Sequence, residues 1–334
     1  PPHRAGSHGH PGGRTGWRSG TAPPAPRRWG PTTLARMATV HDWVEGARVR
    51  TLPAAAAPVI VGTAAAWHLG AREPLRALLA LVVALALQVG VNYANDYSDG
   101  IRGTDDDRQG PARLTGGGLA RPRTVLMAAL GCFAAAGAAG VALVALSGAW
   151  PLLVVGCAAV AAAWFYTGGP RPYAYTGVGL SEAMVFVFFG LVACVGTAWT
   201  QAATAPWWLW TSAGALGLLS IALLMANNIR DIPTDRATGK RTLAVRLGDP
   251  ASRWVYAVCA VAPVPAMGAL SAGLGLAWQS TAALVAACCG WSFLVIAPVA
   301  TGAAGRALIP VLRSTGLYTL SWALLAAIAL LGAR

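Results

Sequence analysis

Two groups of polar side chains follow long apolar runs and have the residue types that bind metal ions and phosphates: Asn92, Asn95, Asp96 and Asp99 in the first group, and Asn227, Asp231 and Asp235 in the second. Residues three or four positions apart share one face of a helix, so the members of each group can point in a common direction. Asn92 precedes Asp96 by one helical turn, as Asn227 precedes Asp231, and these two units lie 135 positions apart. The matched spacing indicates a weak internal repeat.

The oxygen atoms of these side chains predict a magnesium site. Mg²⁺ usually binds through one or two carboxylates together with substrate phosphates. Basic side chains close to the acids could bind the phosphate oxygens directly: Arg102, Arg113, Arg230, Lys240 and Arg241. The combination predicts a diphosphate site. The alternative, in which the acids only keep loops solvated, is disfavoured because the acids recur at helical spacing.

The rest of the chain has the composition of a membrane protein. Of its 334 residues, 56% are hydrophobic and only 11% are charged, and the mean hydropathy is +0.54. An average soluble domain carries roughly 25% charged residues, so a soluble enzyme is excluded. The net charge of +13 comes from basic residues in short gaps between apolar runs, which disfavours a nucleic-acid-binding protein. All six cysteines lie in apolar stretches, so no disulfide scaffold is expected.

The apolar runs predict an all-α bundle of nine membrane-spanning helices. A spanning helix needs about 20 predominantly apolar residues, and the runs that fit this length are 52–70, 76–97, 124–147, 151–167, 178–199, 207–229, 254–275, 280–301 and 315–332. Residues 41–334 are therefore expected to form one domain. Residues 1–40 are rich in Pro, Gly and Arg and are expected to form a disordered extension.

The basic residues also predict how the bundle is oriented in a cell membrane. Most of the 25 Lys and Arg residues fall before the first predicted helix or after the second, fourth, sixth and eighth. The opposite gaps hold only Arg72, Arg76 and Arg334. By the positive-inside rule, the N-terminus and the polar loops that follow the second and sixth predicted helices are cytoplasmic, and the C-terminus lies outside.

The two polar groups resemble the signatures of the UbiA family of intramembrane aromatic prenyltransferases. Asn95, Asp96 and Asp99 match its Asn-Asp-x-x-Asp segment, and Asp231 and Asp235 match its Asp-x-x-x-Asp segment. The resemblance covers residues 40–332.

Further segments resemble the 1,4-dihydroxy-2-naphthoate polyprenyltransferase (MenA) branch of that family: Trp43–Pro53, Asn92–Asp105, Gly110–Leu114, Tyr166–Pro170, Gly179–Glu182 and Gly239–Leu243. The wider family often has a third acid four residues after the second, where this chain has Gly103. Either Asp105 or Asp106 could then supply that ligand.

The resemblance implies Mg²⁺-dependent transfer of a polyprenyl group, with the metal held by five carboxylates: Asp96, Asp99, Asp105, Asp231 and Asp235. The donor would be a polyprenyl diphosphate and the acceptor 1,4-dihydroxy-2-naphthoate, which loses CO₂ to give demethylmenaquinone. The alternatives are a UbiA-type enzyme with another acceptor, namely 4-hydroxybenzoate, homogentisate, haem or a phosphoribosyl sugar, and a membrane transporter. A transporter is disfavoured because the acids lie at helix ends. The expected surroundings are the lipid bilayer, without nucleic acid or an obligate protein partner.

Four other side chains are candidates for the chemistry. Glu182 lies inside an apolar run, where an ionisable group is usually functional, so we expect a catalytic or acceptor-binding role or a structural hydrogen bond. The Tyr166 ring could stabilise a carbocation. Arg48 and Arg50 could approach an acceptor carboxylate or anchor the first helix. Two more tyrosines, near the loop between the fourth and fifth predicted helices, are expected in the interfacial aromatic belt: Tyr173 and Tyr175.

Overall fold

The computed structural model describes residues 37–103, 113–170 and 172–333, and these ranges are helical without β-strands. Eight helical segments of the described chain are long and apolar enough to cross a membrane: Val40–His68, Pro74–Arg102, Pro122–Ser147, Leu180–Ala202, Trp207–Ala237, Asp249–Gly273, Trp278–Ala300 and Gly305–Gly332. The predicted all-α, multi-pass membrane architecture is confirmed.

The α-helices, in chain order, are α1 (Val40–Gly46), α2 (Leu52–His68), α3 (Pro74–Arg102), α4 (Pro122–Ser147), α5 (Leu152–Thr167), α6 (Leu180–Val185), α7 (Ala193–Ala202), α8 (Trp207–Ala237), α9 (Leu243–Leu247), α10 (Asp249–Val261), α11 (Pro263–Gly273), α12 (Trp278–Ala300) and α13 (Leu308–Gly332). Helix α5 is the fourth predicted span. Its 16 residues give a length of about 24 Å, which is less than the roughly 30 Å of a hydrocarbon core. The count of nine spans is therefore not confirmed.

Helices α3 and α8 extend beyond the predicted spans. Helix α3 has 29 residues and α8 has 31, so each is about 45 Å long and exceeds the apolar core of a bilayer. Both polar groups consequently lie in the last turns of these helices. Gly103 ends α3 in the left-handed conformation that glycine adopts readily.

Helix α8 is the central element of the bundle and packs against α2, α10, α11, α13 and a π-helix, Phe186–Val192, that joins α6 to α7. The π-helix approaches α8 closely, because a Cβ atom on Gly190 would lie 2.6 Å from the Cα atom of Gly217. Small residues permit this backbone contact between membrane helices. Around this core, α2, α3, α4, α5, α6, the π-helix, α7 and α8 enclose a cavity.

Candidate active site

A polar pocket of about 70 Å³ lies where the C-terminal turns of α3 and α8 meet. Its lining residues are Arg48, Asn95, Asp99, Arg113, Tyr166, Thr167, Leu224, Asn227, Asn228, Asp231, Thr234, Asp235 and Lys240. Residues from both predicted polar groups therefore contribute to one pocket.

An ion pair also connects the two groups. The Nζ atom of Lys240, which follows α8, lies 3.7 Å from Oδ2 of Asp99 on α3. The two side chains keep only 18% and 6% of their surface exposed, respectively. A short loop holds the lysine in place, since its backbone N–H donates to the carbonyl of Asp235 at 2.8 Å. The Asp231 and Asp235 carboxylates of α8 and the ammonium group of Lys240 therefore lie beside the end of α3.

Asp96 lies outside this pocket. Its fully buried carboxylate accepts hydrogen bonds from the backbone N–H groups of Leu114 and Thr115, at 2.9 and 2.8 Å. These bonds tie α3 to the segment that precedes α4. The segment turns tightly at Gly117, where a Cβ atom would lie 2.4 Å from the carbonyl oxygen of Arg113. Asp96 therefore orders the loop that carries Arg113.

We expect Asp96→Asn to lower the stability of the protein by about 1–3 kcal/mol, because an amide NH₂ would replace one of the two acceptors and leave a buried N–H unpaired. The midpoint of thermal unfolding in detergent measures this loss. Asp249→Asn is the matched control, since its carboxylate pairs with Arg253 at the surface and is 49% exposed. Equal midpoints for the two variants would contradict this role for Asp96.

The pocket selects a different register of the first polar group from the one that the repeat suggested. Asn95 and Asp99 line it together with Asn227 and Asp231, whereas Asn92 lines the neighbouring apolar cavity. The two Asn-x-x-x-Asp units that face the pocket are therefore 132 positions apart, whereas the units chosen from the sequence are 135 positions apart. A shift of three residues changes the direction of a helical side chain by about 60°, and both registers place an Asn four residues before an Asp.

An apolar cavity of about 790 Å³ adjoins the polar pocket. Five residues line both spaces: Arg48, Asn95, Tyr166, Leu224 and Asn227. Most of the cavity wall consists of aliphatic and aromatic side chains from seven helices and the π-helix. A molecule with a charged head and a long hydrocarbon tail could occupy both spaces, with the junction at these five residues.

Arg48 at this junction has a strained backbone. Its φ of +54° and ψ of +59° are left-handed, which costs a residue with a Cβ atom on the order of 1–3 kcal/mol. Hydrogen bonds on both sides hold it there: Asn92 donates to the carbonyl of Ala47 at 2.8 Å, and Thr51 donates to the carbonyl of Arg48 at 2.9 Å. Gln88 donates to the same Thr51 hydroxyl at 2.8 Å. Asn92 thus fixes Arg48 at the boundary of the two spaces.

The other predicted basic residues occupy three kinds of position. Arg113 is buried and lines the polar pocket. Arg102 donates to the carbonyls of Thr167 and Gly169, and Arg230 forms a bidentate pair with Asp231 at 2.7 and 2.6 Å, so both orient neighbouring groups. Arg50 is exposed and lines neither space.

Glu182 lies in the first turn of α6 and is 7% exposed. Its Oε1 atom makes no hydrogen bond within the described part of the chain. The carboxylate lines neither space, although Met184 and Val185 in the next turn line the apolar cavity. Glu182 is thus a buried acid behind the cavity wall.

The tyrosine at the end of α5 and the two tyrosines of the following loop differ in their surroundings. Tyr166 lies at the junction, with its ring edge-on to Tyr173 at a centroid distance of 5.5 Å. Burial raises the pKa of Tyr173, whose hydroxyl donates to the carbonyl of Ala162 at 2.8 Å. The Tyr175 hydroxyl donates to Oδ1 of Asp99 at 2.5 Å, so this residue belongs to the site. No sequence pattern signals this contact, because it depends on where the loop folds back.

Within the described ranges, no three His, Cys, Asp or Glu side chains form a cluster that could hold a metal ion by themselves. Asp105 and Asp106, the other predicted candidates of the first group, lie outside those ranges. A metal at this site would need ligands from a substrate or from water in addition to the described carboxylates.

The fold and the paired acidic helix ends define an intramembrane prenyltransferase: the profile of the UbiA prenyltransferase family matches residues 55–315, and the chain belongs to this family. Among curated proteins it is similar to the 1,4-dihydroxy-2-naphthoate octaprenyltransferase of Mycobacterium tuberculosis, with 54% identity over 88% of this chain and 98% of the relative. The Escherichia coli protein of the same name is 37% identical over 80% of this chain and 85% of its own.

Solved structures share the fold at low sequence identity. A UbiA homolog from Aeropyrum pernix has a TM-score of 0.62 and 16% identity, over 82% of this chain and 96% of the homolog. A UbiA homolog from Archaeoglobus fulgidus, bound to DMAPP and Mg²⁺, has a TM-score of 0.57 and 13% identity, over 85% and 98% of the two chains. These likenesses confirm the UbiA-type helical architecture.

Proposed function

We propose that this protein transfers a polyprenyl group from a polyprenyl diphosphate to 1,4-dihydroxy-2-naphthoate. The observation that carries the proposal is the junction of a charged pocket with a large apolar cavity, which suits a donor with a diphosphate head and an isoprenoid tail. The choice of acceptor is supported by the names of the relatives at 54% and 49% identity.

The reaction replaces a C–O bond of the donor with a C–C bond to the ring. The diphosphate leaves with the electron pair of the C–O bond, and the allylic carbocation accepts an electron pair from the electron-rich ring. Loss of the acceptor carboxylate as CO₂ then returns an electron pair to the ring. The product of these steps is the hydroquinone form of demethylmenaquinone, so the protein acts in menaquinone biosynthesis.

The donor atoms of the polar pocket fit Mg²⁺. Asp99, Asp231 and Asp235 offer carboxylates and Asn95 and Asn227 offer amide oxygens, and Mg²⁺ commonly takes one or two carboxylates with phosphates and water completing its shell. When bound, the ion would neutralise charge that develops on the leaving diphosphate. Asp96 is less suited to this set, because its carboxylate lies outside the polar pocket and accepts two hydrogen bonds from the loop before α4.

Two cations of the pocket are placed to bind the diphosphate. Arg113 and Lys240 approach it from the loop before α4 and from the segment after α8, respectively. Arg102 and Arg230 act indirectly, since their guanidinium groups hold backbone carbonyls and Asp231. These charges bind the donor head and stabilise the leaving group.

The residues of the junction suit the reacting carbons. Tyr166 could stabilise the carbocation with its ring face, and the apolar wall excludes water that would quench it. Arg48, held in a strained conformation beside the same carbons, could orient the acceptor carboxylate. Glu182 lines neither space, so its catalytic or acceptor-binding role stays a prediction that rests on a buried Oε1 atom with no hydrogen-bond partner in the described chain.

The distribution of basic residues supports an orientation in the cell membrane with the polar pocket at the cytoplasmic face. The C-terminal turns of α3 and α8 and the segment after α8 carry Arg102, Arg230 and Lys240, while the opposite connection and the first turn of α3 hold Arg72 and Arg76. This asymmetry follows the positive-inside rule.

Incubation of the purified protein with a polyprenyl diphosphate, Mg²⁺ and a panel of aromatic acids tests the proposal. We expect release of diphosphate and a prenylated, decarboxylated lipid with 1,4-dihydroxy-2-naphthoate, detected by mass spectrometry, and no turnover after metal chelation. Product formation with 4-hydroxybenzoate or homogentisate alone would assign a different acceptor. Solute movement across vesicles without diphosphate release would indicate a transporter.

A further inference from the structure

Tyr175 lies in the loop between α5 and α6 and contacts charged groups from both halves of the site. Its hydroxyl donates to Oδ1 of Asp99 at 2.5 Å. The Nζ atom of Lys240 lies 5.0 Å from the centroid of its ring, and the guanidinium carbon of Arg102 lies 5.7 Å from it. A cation within about 6 Å of an aromatic face is attracted to the ring. The side chain therefore contacts one acid and two bases at once.

The loop that carries Tyr175 is fixed from two sides. At its start, Arg102 of α3 donates to the carbonyls of Thr167 and Gly169 at 2.7 and 2.6 Å. Two residues after Tyr175, Gly177 has a φ of +64°, and a Cβ atom there would lie 2.5 Å from the carbonyl oxygen of Arg241. Only glycine fits both conditions. The position of the Tyr175 ring is thus set by the segments that bear the two polar groups.

We propose that Tyr175 is a positioning residue that orients the Asp99 carboxylate and the Lys240 ammonium for a metal-bound diphosphate. This inference rests on the proposed function of the pocket. The Tyr175 hydroxyl donates a hydrogen bond to Oδ1 of Asp99, while Oδ2 of the same carboxylate lies 3.7 Å from Nζ of Lys240. Hydrogen-bond donors behind a metal-binding carboxylate fix its orientation, and their removal typically lowers metal affinity 10–100-fold.

The same contacts distinguish Tyr175 from an interfacial aromatic anchor. An anchor of that kind places its ring at the lipid headgroups. Here the ring is half-buried between Lys240 and Arg102, and its hydroxyl is directed at a buried acid. The sequence-based assignment of Tyr175 to the aromatic belt is therefore replaced by a role in the site.

Tyr175→Phe tests the proposal, because it removes the hydroxyl and keeps the ring. The readout is the binding of inorganic diphosphate to the purified protein, measured by calorimetry as a function of Mg²⁺ concentration without an acceptor. We expect the Mg²⁺ concentration for half-maximal binding to rise 10–100-fold. Tyr173→Phe is the matched control, since its hydroxyl binds the carbonyl of Ala162, and we expect a change of less than about threefold.

The same measurement in an Asp99→Asn background separates positioning from a general loosening of the loop. Tyr175→Phe should then have no further effect, because the carboxylate that it orients is gone. An effect of Tyr175→Phe no larger than that of Tyr173→Phe would overturn the proposal, as would a full effect in the Asp99→Asn background. Failure of the proposed function would look different: the wild type would bind Mg²⁺ and diphosphate but form no prenylated naphthoate.

Discussion

Asp99→Asn should lower kcat/KM for prenyl transfer by on the order of 10²–10³-fold, the effect typical of removing a group that stabilises developing charge. The substitution preserves the size of the side chain and leaves an oxygen that the Tyr175 hydroxyl can still approach. It removes the negative charge that faces Lys240 and that a metal ion would need. Release of diphosphate from a polyprenyl diphosphate, with 1,4-dihydroxy-2-naphthoate as acceptor, measures the loss.

Asp249→Asn provides the control for this prediction. Asp249 also carries a carboxylate bound to a basic residue, Arg253, but its side chain is 49% exposed and neither residue lines the pocket. Exposed ion pairs contribute only about 0–1 kcal/mol, so activity should stay within about twofold to threefold of the wild type. More than a tenth of wild-type activity in Asp99→Asn would show that the polar pocket does not work as proposed.

Gly196→Phe should change which donors the protein accepts. Gly196 is on α7, about four helical turns beyond the start of α6, and its backbone lines the apolar cavity. A Cβ atom there would meet nothing within 4 Å, so a larger side chain would enter the cavity without displacing its neighbours. We expect kcat/KM for an octaprenyl donor to fall about 10–100-fold, in line with the 1–3 kcal/mol of overpacking. A donor of two or three isoprene units should react nearly normally.

Gly290→Phe is the matched control for the length effect. Gly290 is in the middle of α12, also has open space where a Cβ atom would lie, and does not line the cavity. Both substitutions place the same aromatic residue in an apolar helix, so they differ only in whether the ring enters the cavity. Equal losses for long and short donors in Gly196→Phe would place the isoprenoid tail elsewhere.

Much of the architecture is predictable because it depends on local properties. Long apolar runs must form helices in lipid, where the backbone has no water to bind, and eight of the predicted spans correspond to helices of sufficient length. The extra turns of α3 and α8 are harder to predict, because polar residues beyond the bilayer core no longer follow the apolar pattern. Hydropathy therefore predicted the number of spans closely, and it placed the polar groups at helix ends without showing that they are still helical.

The composition and residue spacing are sufficient to predict a helical membrane protein whose few acids gather at the ends of two helices and suit a diphosphate. They do not predict that Asn95 and Asp99 face the pocket while Asp96 binds a loop, or that Tyr175 contacts Asp99, and the folded chain is needed to see these contacts. The cause is the rotation of each helix about its axis. Spacing defines which residues share a helical face, but the direction of that face depends on the neighbouring helices and loops that pack against it.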